Sequence, residues 1–445
     1  FFRYPFLSFF IPFQTMSINV IAKPSFGNVE GSFAYVSIRD RWPKIVTKII
    51  DQLHRNFYPL SREKGEDCGK EVTEVISKIS EMRYRMETNK PLLDFEGKSD
   101  SEKKWNLELG KMRKELGGDL KLTWYDGPWI FAECYLYSKI NEFITSTTHL
   151  KNYDVFAIEK NQAFFDSEKM ITALLIELKN WEADRNLDEK TVLKRLIQIS
   201  LWGNKCDLSL SSGDPSRIQE TLFNSLEELS PCILANDVDK AVDHLLTKCK
   251  NEEFHLVFDN AGLEVVTDFV LAEFLIDRGL VKKVIFHGKT FPWYVSDVTA
   301  TDYNWVLNTM ENSTDELMQY YGRKWKNRKE FKVKFDDFWT TGHVYWDMKT
   351  NDPDLFEELK QAGLVVFKGD LNYRKIVGDR DWPYGVDFKF AIQSFGEIPF
   401  LTLRTLKAET VAGLPESSID EIKKKFKDLS WMVSSDFAVA QLNLP

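Results

Sequence analysis

The first half of the chain carries apolar residues at helical spacing. Residues 40–57 place Ile45, Ile49 and Leu53 on one stripe, and Pro43 suits a first helical turn. The same spacing recurs over residues 70–86, 129–144, 169–181 and 191–202, with polar breaks between the segments. Because this spacing places the apolar side chains on one face of a helix, the pattern predicts a helical N-terminal part.

The second half changes to short β-prone apolar runs that alternate with helical stretches. Four such runs, bounded by Gly, Asp or Asn, occupy residues 254–260, 281–288, 363–370 and 398–405. Short apolar runs of this kind are typical of strands buried on both faces of a parallel sheet. The sequence therefore predicts the α/β class, with a helical domain followed by a three-layer α/β/α Rossmann-like domain whose sheet is mainly parallel.

These patterns predict a leader over residues 1–24, a helical domain over 25–185 and an α/β domain over 186–445. The first fifteen residues are aromatic and apolar, contain Pro5 and Pro12, and precede Met16. They show no small-residue cleavage site, so we interpret them as sequence ahead of a start at Met16 rather than as a signal peptide.

Composition narrows the functional classes. The chain has 445 residues, with 59 Lys+Arg against 68 Asp+Glu and a net charge of −9, so it lacks the broad positive surface that nucleic-acid binding requires. Its five cysteines are scattered and predict neither a disulfide framework nor a thiolate zinc site. We expect a protein of the cytoplasm, with the nucleus as a second location. No apolar run reaches the roughly 20 residues of a membrane helix.

Polar side chains follow several of the predicted strands. Asp259 and Asn260, Asp370 and Arg404 each come just after an apolar run, and Asp297 follows another short one. Ligands bind at this edge of parallel sheets, and carboxylate and amide oxygens suit Mg²⁺ or Mn²⁺. Two plain alternatives stay open: Asp259 and Asn260 cap the helix that begins near Glu264, and Asp297 is a turn residue.

Cationic residues in the same half suit an anionic ligand. Residues 369–375 (GDLNYRK) combine a tight turn with polar and cationic side chains, and residues 404–407 add an Arg and a Lys. A guanidinium offers a fork of donors to phosphate, although a solvated loop and surface ion pairs explain these residues as well. Earlier in the chain, Asn204 and Asp207 follow a helix predicted to end at Gly203 and are further candidate substrate contacts.

Common catalytic motifs are absent from the sequence. It contains neither G-x-G-x-x-G nor G-x-S-x-G, and GEDCGKE (65–71) is one residue short of a phosphate loop. The usual dinucleotide-binding and serine-hydrolase motifs are therefore excluded.

Four segments together resemble the damage-control phosphatase family, and most closely its third subfamily, which is also known as protein-glutamate O-methyltransferases or acidic-residue methyltransferases. They are FDNAGLE (258–264), FHGKTFPWYVSDVT (286–299), FKGDLNYRK (367–375) and LRTLKAE (403–409). Residues 31–45, 127–137 and 202–211 also resemble the family, so the likeness extends from about residue 25 to the C-terminus.

The resemblance implies a set of site residues. Asp259, Asn260 and Asp297 match the ligands of a catalytic Mn²⁺, with Co²⁺, Ni²⁺ or Mg²⁺ as substitutes. RTLK matches the RTxK signature, which places Lys407 at the substrate phosphate and Arg404 beside it. The remaining matches are the substrate-contacting Asp370, Asn372, Tyr373 and Arg374, and Glu264 at a position linked to a methyl-donor site.

The implied activity is hydrolysis of small sugar phosphates such as fructose-1-phosphate and fructose-6-phosphate, in the control of metabolite damage. The attacking group is either water or the carboxylate of Asp259. Small phosphorylated metabolites are then the partners, without nucleic acid or membrane, and the sequence is compatible with a monomer. Two alternatives are a methyltransferase that uses S-adenosylmethionine, against which the missing glycine-rich loop counts, and a binding protein without catalysis.

Overall fold

The computed structural model describes residues 20–184, 186–211 and 218–445, and the side chains of residues 204, 206–211 and 218–223 are not described. Helices dominate the part of the chain that precedes the sheet, and a π-helical segment, Ser37–Arg41, joins the first two. These helices are α1 (Phe33–Val36), α2 (Trp42–Arg55), α3 (Phe57–Lys64), α4 (Glu66–Glu87), α5 (Asp100–Leu116), α6 (Trp129–Thr145), α7 (Ala157–Asp166), α8 (Glu168–Ala183), α9 (Glu189–Ser211) and α10 (Ile218–Leu229).

A seven-stranded sheet organises the rest of the described chain. Its strands are β1 (Ile233–Asn236), β2 (Glu253–Val257), β3 (Lys283–Gly288), β4 (Phe331–Phe335), β5 (Leu364–Lys368), β6 (Phe400–Thr405) and β7 (Ala438–Asn443). Helices alternate with them: α11 (Val238–Lys248), α12 (Leu263–Asp277), α13 (Ala300–Glu311), α14 (Glu316–Lys326), α15 (Met348–Asn351), α16 (Pro353–Lys360), α17 (Gly369–Ile376), α18 (Phe388–Ala391) and α19 (Glu416–Lys425).

The strand order is β1-β7-β6-β5-β2-β3-β4, and every neighbouring pair is parallel except β6 with β7. The predicted α/β class with a mainly parallel sheet is confirmed. All four predicted strands form. The sequence pattern missed β1, which is only four residues long, and β4 and β7, in which lysines or buried amides interrupt the apolar runs.

Helices cover both faces of the sheet. Because successive side chains of a strand point to opposite faces, each strand contributes to two apolar clusters. On one face Leu256 and Phe286 join the cluster formed with α7–α9 and α11–α14. On the other face Val257 and Val365 join residues of α15–α19. The result is a three-layer arrangement of helices, sheet and helices.

A third apolar cluster, which we call the helical cluster, unites α1–α6. It also takes in Trp293 and Ala408 from loops at the sheet edge, and Leu371 from the first turn of α17. The helices α7–α9 belong instead to the cluster on the sheet. The domain boundary near residue 185 stays a prediction.

The predicted helix end at Gly203 is wrong. Helix α9 continues through Gly203 to Ser211. It packs against α12, with Gly203 facing Thr267 and Glu264. Packing of this kind outweighs the low helix propensity of a single glycine. No helix in the described ranges has both the length and the apolar composition of a membrane span.

Two buried histidines link β2 to β3. His255 Nδ1 and His287 Nε2 lie 2.9 Å apart, and both rings are almost fully buried. Burial, followed by the effect of His287, lowers the pKa of His255 to about 2. The native protein therefore keeps this imidazole neutral at pH values at which the unfolded chain binds a proton.

We predict that His255 makes stability depend on acidity. Because its native pKa is depressed from 6.5, its contribution is present above about pH 6.5 and is lost as the pH falls toward the native value. Between about pH 6 and pH 5, the unfolding free energy of the wild type should fall by up to ~1.4 kcal/mol per pH unit more than that of His255→Gln. Urea denaturation at each pH measures this slope. Equal slopes for the two proteins would contradict the assignment.

Candidate active site

A pocket of about 280 Å³ opens at the carboxyl ends of β2, β3, β5 and β6, where the sheet meets the helical cluster. This edge is where open parallel sheets bind ligands. The wall on the sheet side includes Asp259, Asn260, Asp297, Asp370 and Lys407. The helical wall is largely aromatic and includes Phe33, Arg41, Trp42, Trp129, Glu133 and Tyr137.

Backbone hydrogen bonds bring the first three sheet-side residues together. The segment after β2 pairs with the loop after β3 in an antiparallel bridge between Asn260 and Asp297. The Val298 amide donates to the Asp259 carbonyl at 3.1 Å, and the Ala261 amide donates to the Ser296 carbonyl at 2.7 Å. Residues nearly forty positions apart in the chain therefore share one corner of the pocket.

The loop that delivers Asp297 contains a strained turn. Tyr294 and Val295 have φ values of 44° and 71°, in the left-handed region that β-branched residues rarely adopt. Both residues line the pocket. Backbone strain of this kind persists only where the surroundings fix it, and it concentrates at functional sites.

Gly369, at the start of α17, leaves room for the Asp259 carboxylate. Its φ is 86°, and a Cβ at this position would overlap the carboxylate of Asp259. Any other residue would therefore be strained and would also displace Asp259. The position of the Asp259 carboxylate, just after β2, therefore requires a glycine at the start of the GDLNYRK segment.

Asp297 is buried with an incompletely satisfied carboxylate. Its side chain is 3% exposed, and its Oδ2 accepts no hydrogen bond from the described residues. The ammonium of Lys289, itself 1% exposed, lies 3.3 Å from that oxygen and donates to the Phe258 carbonyl at 3.2 Å. Burial raises the pKa of Asp297 to about 6 even though Lys289 opposes the shift. One lysine thus compensates the buried charge only in part.

Asp259 lies beside two further carboxylates. Burial raises its pKa well above the ordinary value, and Glu264 and Asp297 raise it further, while Lys407 and Lys289 act in the opposite direction. Like charges this close make a second negative charge costly unless a cation joins them. The corner therefore favours binding of a positive ion.

Asn260 is held in place by its neighbours. Its amide nitrogen donates to Asp259 Oδ2 at 2.9 Å and to Glu264 Oε1 at 2.7 Å, while its Oδ1 accepts from Ser296 Oγ. The helix-cap alternative is not supported, because the N-cap of α12 is Gly262 and no side chain caps it. Glu264 contacts Asn260 and does not line the pocket.

Arg404 positions the other side of the pocket. Its guanidinium donates to Asp370 Oδ1 at 2.8 Å and to the carbonyls of Ala408 and Thr410, which fixes the loop after β6. Burial raises the pKa of Asp370, but Arg404 and Arg374 outweigh it and hold the pKa below the ordinary value. The Lys407 amide also donates to Asp370 Oδ1, at 3.2 Å, and its side chain is exposed in the pocket. Arg404 is fully buried and acts through Asp370 and Lys407.

Comparison with known proteins decides the family. The sequence model described as "Damage-control phosphatase ARMT1-like domain" matches residues 37–422, which include every pocket residue named above except Phe33. The chain belongs to the damage-control phosphatase ARMT1-like family.

Curated relatives support this membership over nearly the whole length. The damage-control phosphatase ARMT1 of Rattus norvegicus is 38% identical over 93% of this chain and 97% of its own. The Homo sapiens protein of the same name is 38% identical over 94% and 98%. A solved DUF89 family protein from Pyrococcus horikoshii aligns at 16% identity with a TM-score of 0.42, covering 78% of this chain and 90% of that one.

The predicted family and enzyme class are therefore confirmed. The chain is a phosphomonoesterase of a metal-dependent damage-control family, and its substrates are small molecules.

The predicted substrate contacts on α17 divide into two groups. Asn372 and Tyr373 are buried and do not line the pocket. Asn372 donates to the Lys368 carbonyl and accepts from Tyr345, and the Tyr373 hydroxyl bonds Gln441. Direct contact of these two residues with substrate has no support from the geometry. Asp370 and Arg374 do line the pocket.

Two carboxylates neutralise the positive charge of Arg374. Its guanidinium donates twice to Asp379, at 2.8 and 3.0 Å, and once to Glu133 of α6, at 2.6 Å. It also stacks 3.7 Å from the centroid of the Trp129 ring. Because Glu133 and Trp129 lie on α6, whose apolar side chains belong to the helical cluster, this buried network joins that cluster to the α/β part.

The remaining two candidates cannot be placed in the pocket. Asn204 and Asp207 fall within the backbone range of α9, but their side chains lie outside the described residues. Their role as substrate contacts stays a prediction.

A second group of side chains could hold a metal ion. Within the described ranges, His255, His287 and Glu358 offer three ligand atoms within 4.8 Å of one another. Asp336 Oδ2 lies 3.4 Å from His287 Nδ1, and Lys334 pairs with the other oxygen of Glu358 at 2.5 Å. None of these residues lines the pocket, so the group is separate from the candidate active site.

Sequence reasoning missed four pocket or site residues. Lys289 directly follows β3 in the segment FHGKTFPWYVSDVT (286–299). A lysine just past a predicted buried strand could have identified it as a site residue. Glu133 sits alone in the apolar run of α6, where a buried carboxylate needs a partner. Arg41 and Trp42 lie in a helix whose periodicity marked only a core face, so nothing in the pattern pointed to a ligand.

We predict that Arg374→Met lowers the unfolding free energy by about 3–5 kcal/mol, because it leaves Glu133 and Asp379 buried without their cation. Urea denaturation followed by circular dichroism measures the loss. Lys349→Met is the matched control, since the Lys349–Glu397 pair is 50% and 37% exposed and should contribute less than about 1 kcal/mol. Similar losses in both variants would contradict a linking role for Arg374.

Proposed function

We propose that the protein hydrolyses small sugar phosphates, of which fructose-1-phosphate and fructose-6-phosphate are the leading candidates, with a divalent cation held by Asp259, Asn260 and Asp297. The metal is Mn²⁺, with Co²⁺, Ni²⁺ or Mg²⁺ as substitutes. Family membership supports the reaction class, and the pocket supports the residues.

One observation carries the metal assignment. Asp297 Oδ2 is buried, accepts no hydrogen bond from the described residues, and lies in the same corner as Asp259 and Asn260. Burial raises the pKa of both aspartates, and Glu264 and Asp297 raise the pKa of Asp259 further by repulsion between negative charges. A divalent ion would remove that repulsion.

The donor set fits a hard cation. Two carboxylates and one amide oxygen are the ligands that Mg²⁺ and Mn²⁺ favour. Asn260 Oδ1 accepts one hydrogen bond, from Ser296, and retains a second lone pair for a ligand. Glu264 fixes the orientation of this amide through its other end. When bound, the ion would act as a Lewis acid on a phosphate oxygen and as a sink for developing charge.

The other side chains of the pocket bind the phosphate, bind the sugar hydroxyls and exclude water. Lys407 neutralises the phosphate charge, and Asp370, held by Arg404, accepts hydrogen bonds from substrate hydroxyls. Trp42 and Tyr137 of the helical wall pack against the carbon skeleton and exclude water. Water forms the new bond to phosphorus as the ester bond breaks, and the departing sugar oxygen takes up a proton. The alternative nucleophile is the Asp259 carboxylate, and the phosphoryl intermediate would then be hydrolysed.

We predict that the full chain stripped with EDTA releases no phosphate from a sugar-phosphate panel and that Mn²⁺ restores release. Asp259→Asn and Asp297→Asn should lower kcat/KM by at least about 10², because each removes several kcal/mol of charge stabilisation. Asp239→Asn, on an exposed carboxylate, is the control and should match the wild type. A colorimetric phosphate assay over Mn²⁺, Co²⁺, Ni²⁺ and Mg²⁺ makes the measurement. Metal-dependent turnover by Asp259→Asn at the wild-type rate would refute the site.

Lys407 gives a separate prediction for substrate binding. Lys407→Ala should raise KM by about tenfold to a hundredfold, the loss expected for one charged hydrogen bond of ~1.5–3 kcal/mol. Metal content measured by mass spectrometry should remain unchanged, since Lys407 is not a proposed ligand. Loss of bound metal in this variant would instead point to a structural role.

The methyltransferase alternative has a direct test. Calorimetry with S-adenosylmethionine should give no binding heat if the protein is only a phosphatase. Saturable heat that Glu264→Ala abolishes would favour the alternative, since Glu264 stands at the position linked to a methyl donor.

A further inference from the structure

A π-helical turn delivers an arginine to the helical wall of the pocket. Residues Ser37–Arg41 form this turn between α1 and α2. It buries Ile38 completely in the helical cluster and leaves Arg41 exposed in the pocket, next to Trp42. Single π turns within helices are rare and frequently mark functional positions.

Arg41 is a cation without an ionic partner. Its guanidinium lies 4.8 Å above the Phe33 ring, and it forms no ion pair with any residue in the described ranges. Its neighbour Arg39 differs, because it donates twice to Asp40, at 2.9 and 2.6 Å, and does not line the pocket. The two arginines share one helical segment, but only Arg41 has a free charge directed at the cavity.

The other pocket cations show why this charge matters. Arg374 is neutralised by Glu133 and Asp379, so it has little charge to offer a ligand. Lys407 approaches from the sheet side and, within the described chain, pairs with no carboxylate side chain. Arg41 is its counterpart on the helical wall. An anion between the two walls would therefore meet a positive charge on each side.

Resting on the proposed phosphatase function, we propose that Arg41 is a substrate-binding residue whose guanidinium binds the substrate phosphate from the helical wall, opposite Lys407. A guanidinium presents a planar fork of donors that matches phosphate oxygens, which an ammonium does not. The helical cluster thereby takes a direct part in recognising the substrate.

The test compares Arg41→Ala, Arg41→Lys and Arg39→Ala in the full chain. Inorganic phosphate is the probe, titrated calorimetrically in the presence of Mg²⁺. Arg41→Ala should weaken phosphate binding about tenfold to a hundredfold, Arg41→Lys should recover part of the loss, and Arg39→Ala should match the wild type. Thermal unfolding should be unchanged in Arg41→Ala, because the side chain is exposed.

Kinetics on the best sugar phosphate add a second readout. Arg41→Ala should raise KM by a similar factor and change kcat much less. Phosphate binding by Arg41→Ala as tight as that of Arg39→Ala would overturn the proposal, and so would a wild type that binds no phosphate. A wild type that binds phosphate but hydrolyses no sugar phosphate would refute the proposed function alone, and the calorimetric comparison would still decide the role of Arg41.

Discussion

The buried guanidinium of Arg374 is the contact through which the two halves of the pocket hold their positions. It lies between the carboxylate of Glu133 on α6 and that of Asp379 in the α/β part, and it stacks on Trp129. A fully desolvated charge tolerates little movement, because every lost hydrogen bond leaves an uncompensated charge in the interior. The aromatic wall on α6 is therefore fixed relative to the strand ends, and the pocket keeps its width.

A second constraint operates at the end of β2. Two further carboxylates, of Glu264 and Asp297, and the amide of Asn260 crowd around Asp259, and Gly369 leaves the space that the Asp259 carboxylate occupies. The turn with left-handed backbone at Tyr294 and Val295 leads into Asp297, which lies in the same corner. Each of these features is unfavourable for an isolated protein. Together they hold the carboxylates of Asp259 and Asp297 in one corner, where a bound cation would offset the repulsion between the two charges.

The sequence predicted the layers of this protein better than its contacts. Apolar runs such as HLVF and LVVF are buried on both faces wherever they fall in the sheet, so their pattern alone identified β2 and β5. Polar residues past those runs had to meet at one edge, which brought Asp259 and Asp370 into one pocket. The same argument did not place Asn372 and Tyr373, because helix α17 turns consecutive side chains in different directions and directs these two into the interior. Nor did it find Arg41 or Glu133, because their positions depend on how the helical cluster packs on the sheet, and that is set by contacts between residues far apart in the chain.

The residues of the two pocket walls are synthesised at different times during translation. Arg41 and Trp42 leave the ribosome more than 350 residues before the loop that carries Lys407, and domains generally fold as units. A chain that stops before Lys407 cannot assemble both sides of the pocket. The pocket of this phosphatase therefore cannot form before the segment with Lys407 has been synthesised, and a truncated chain that ends before it would lack the sheet-side wall.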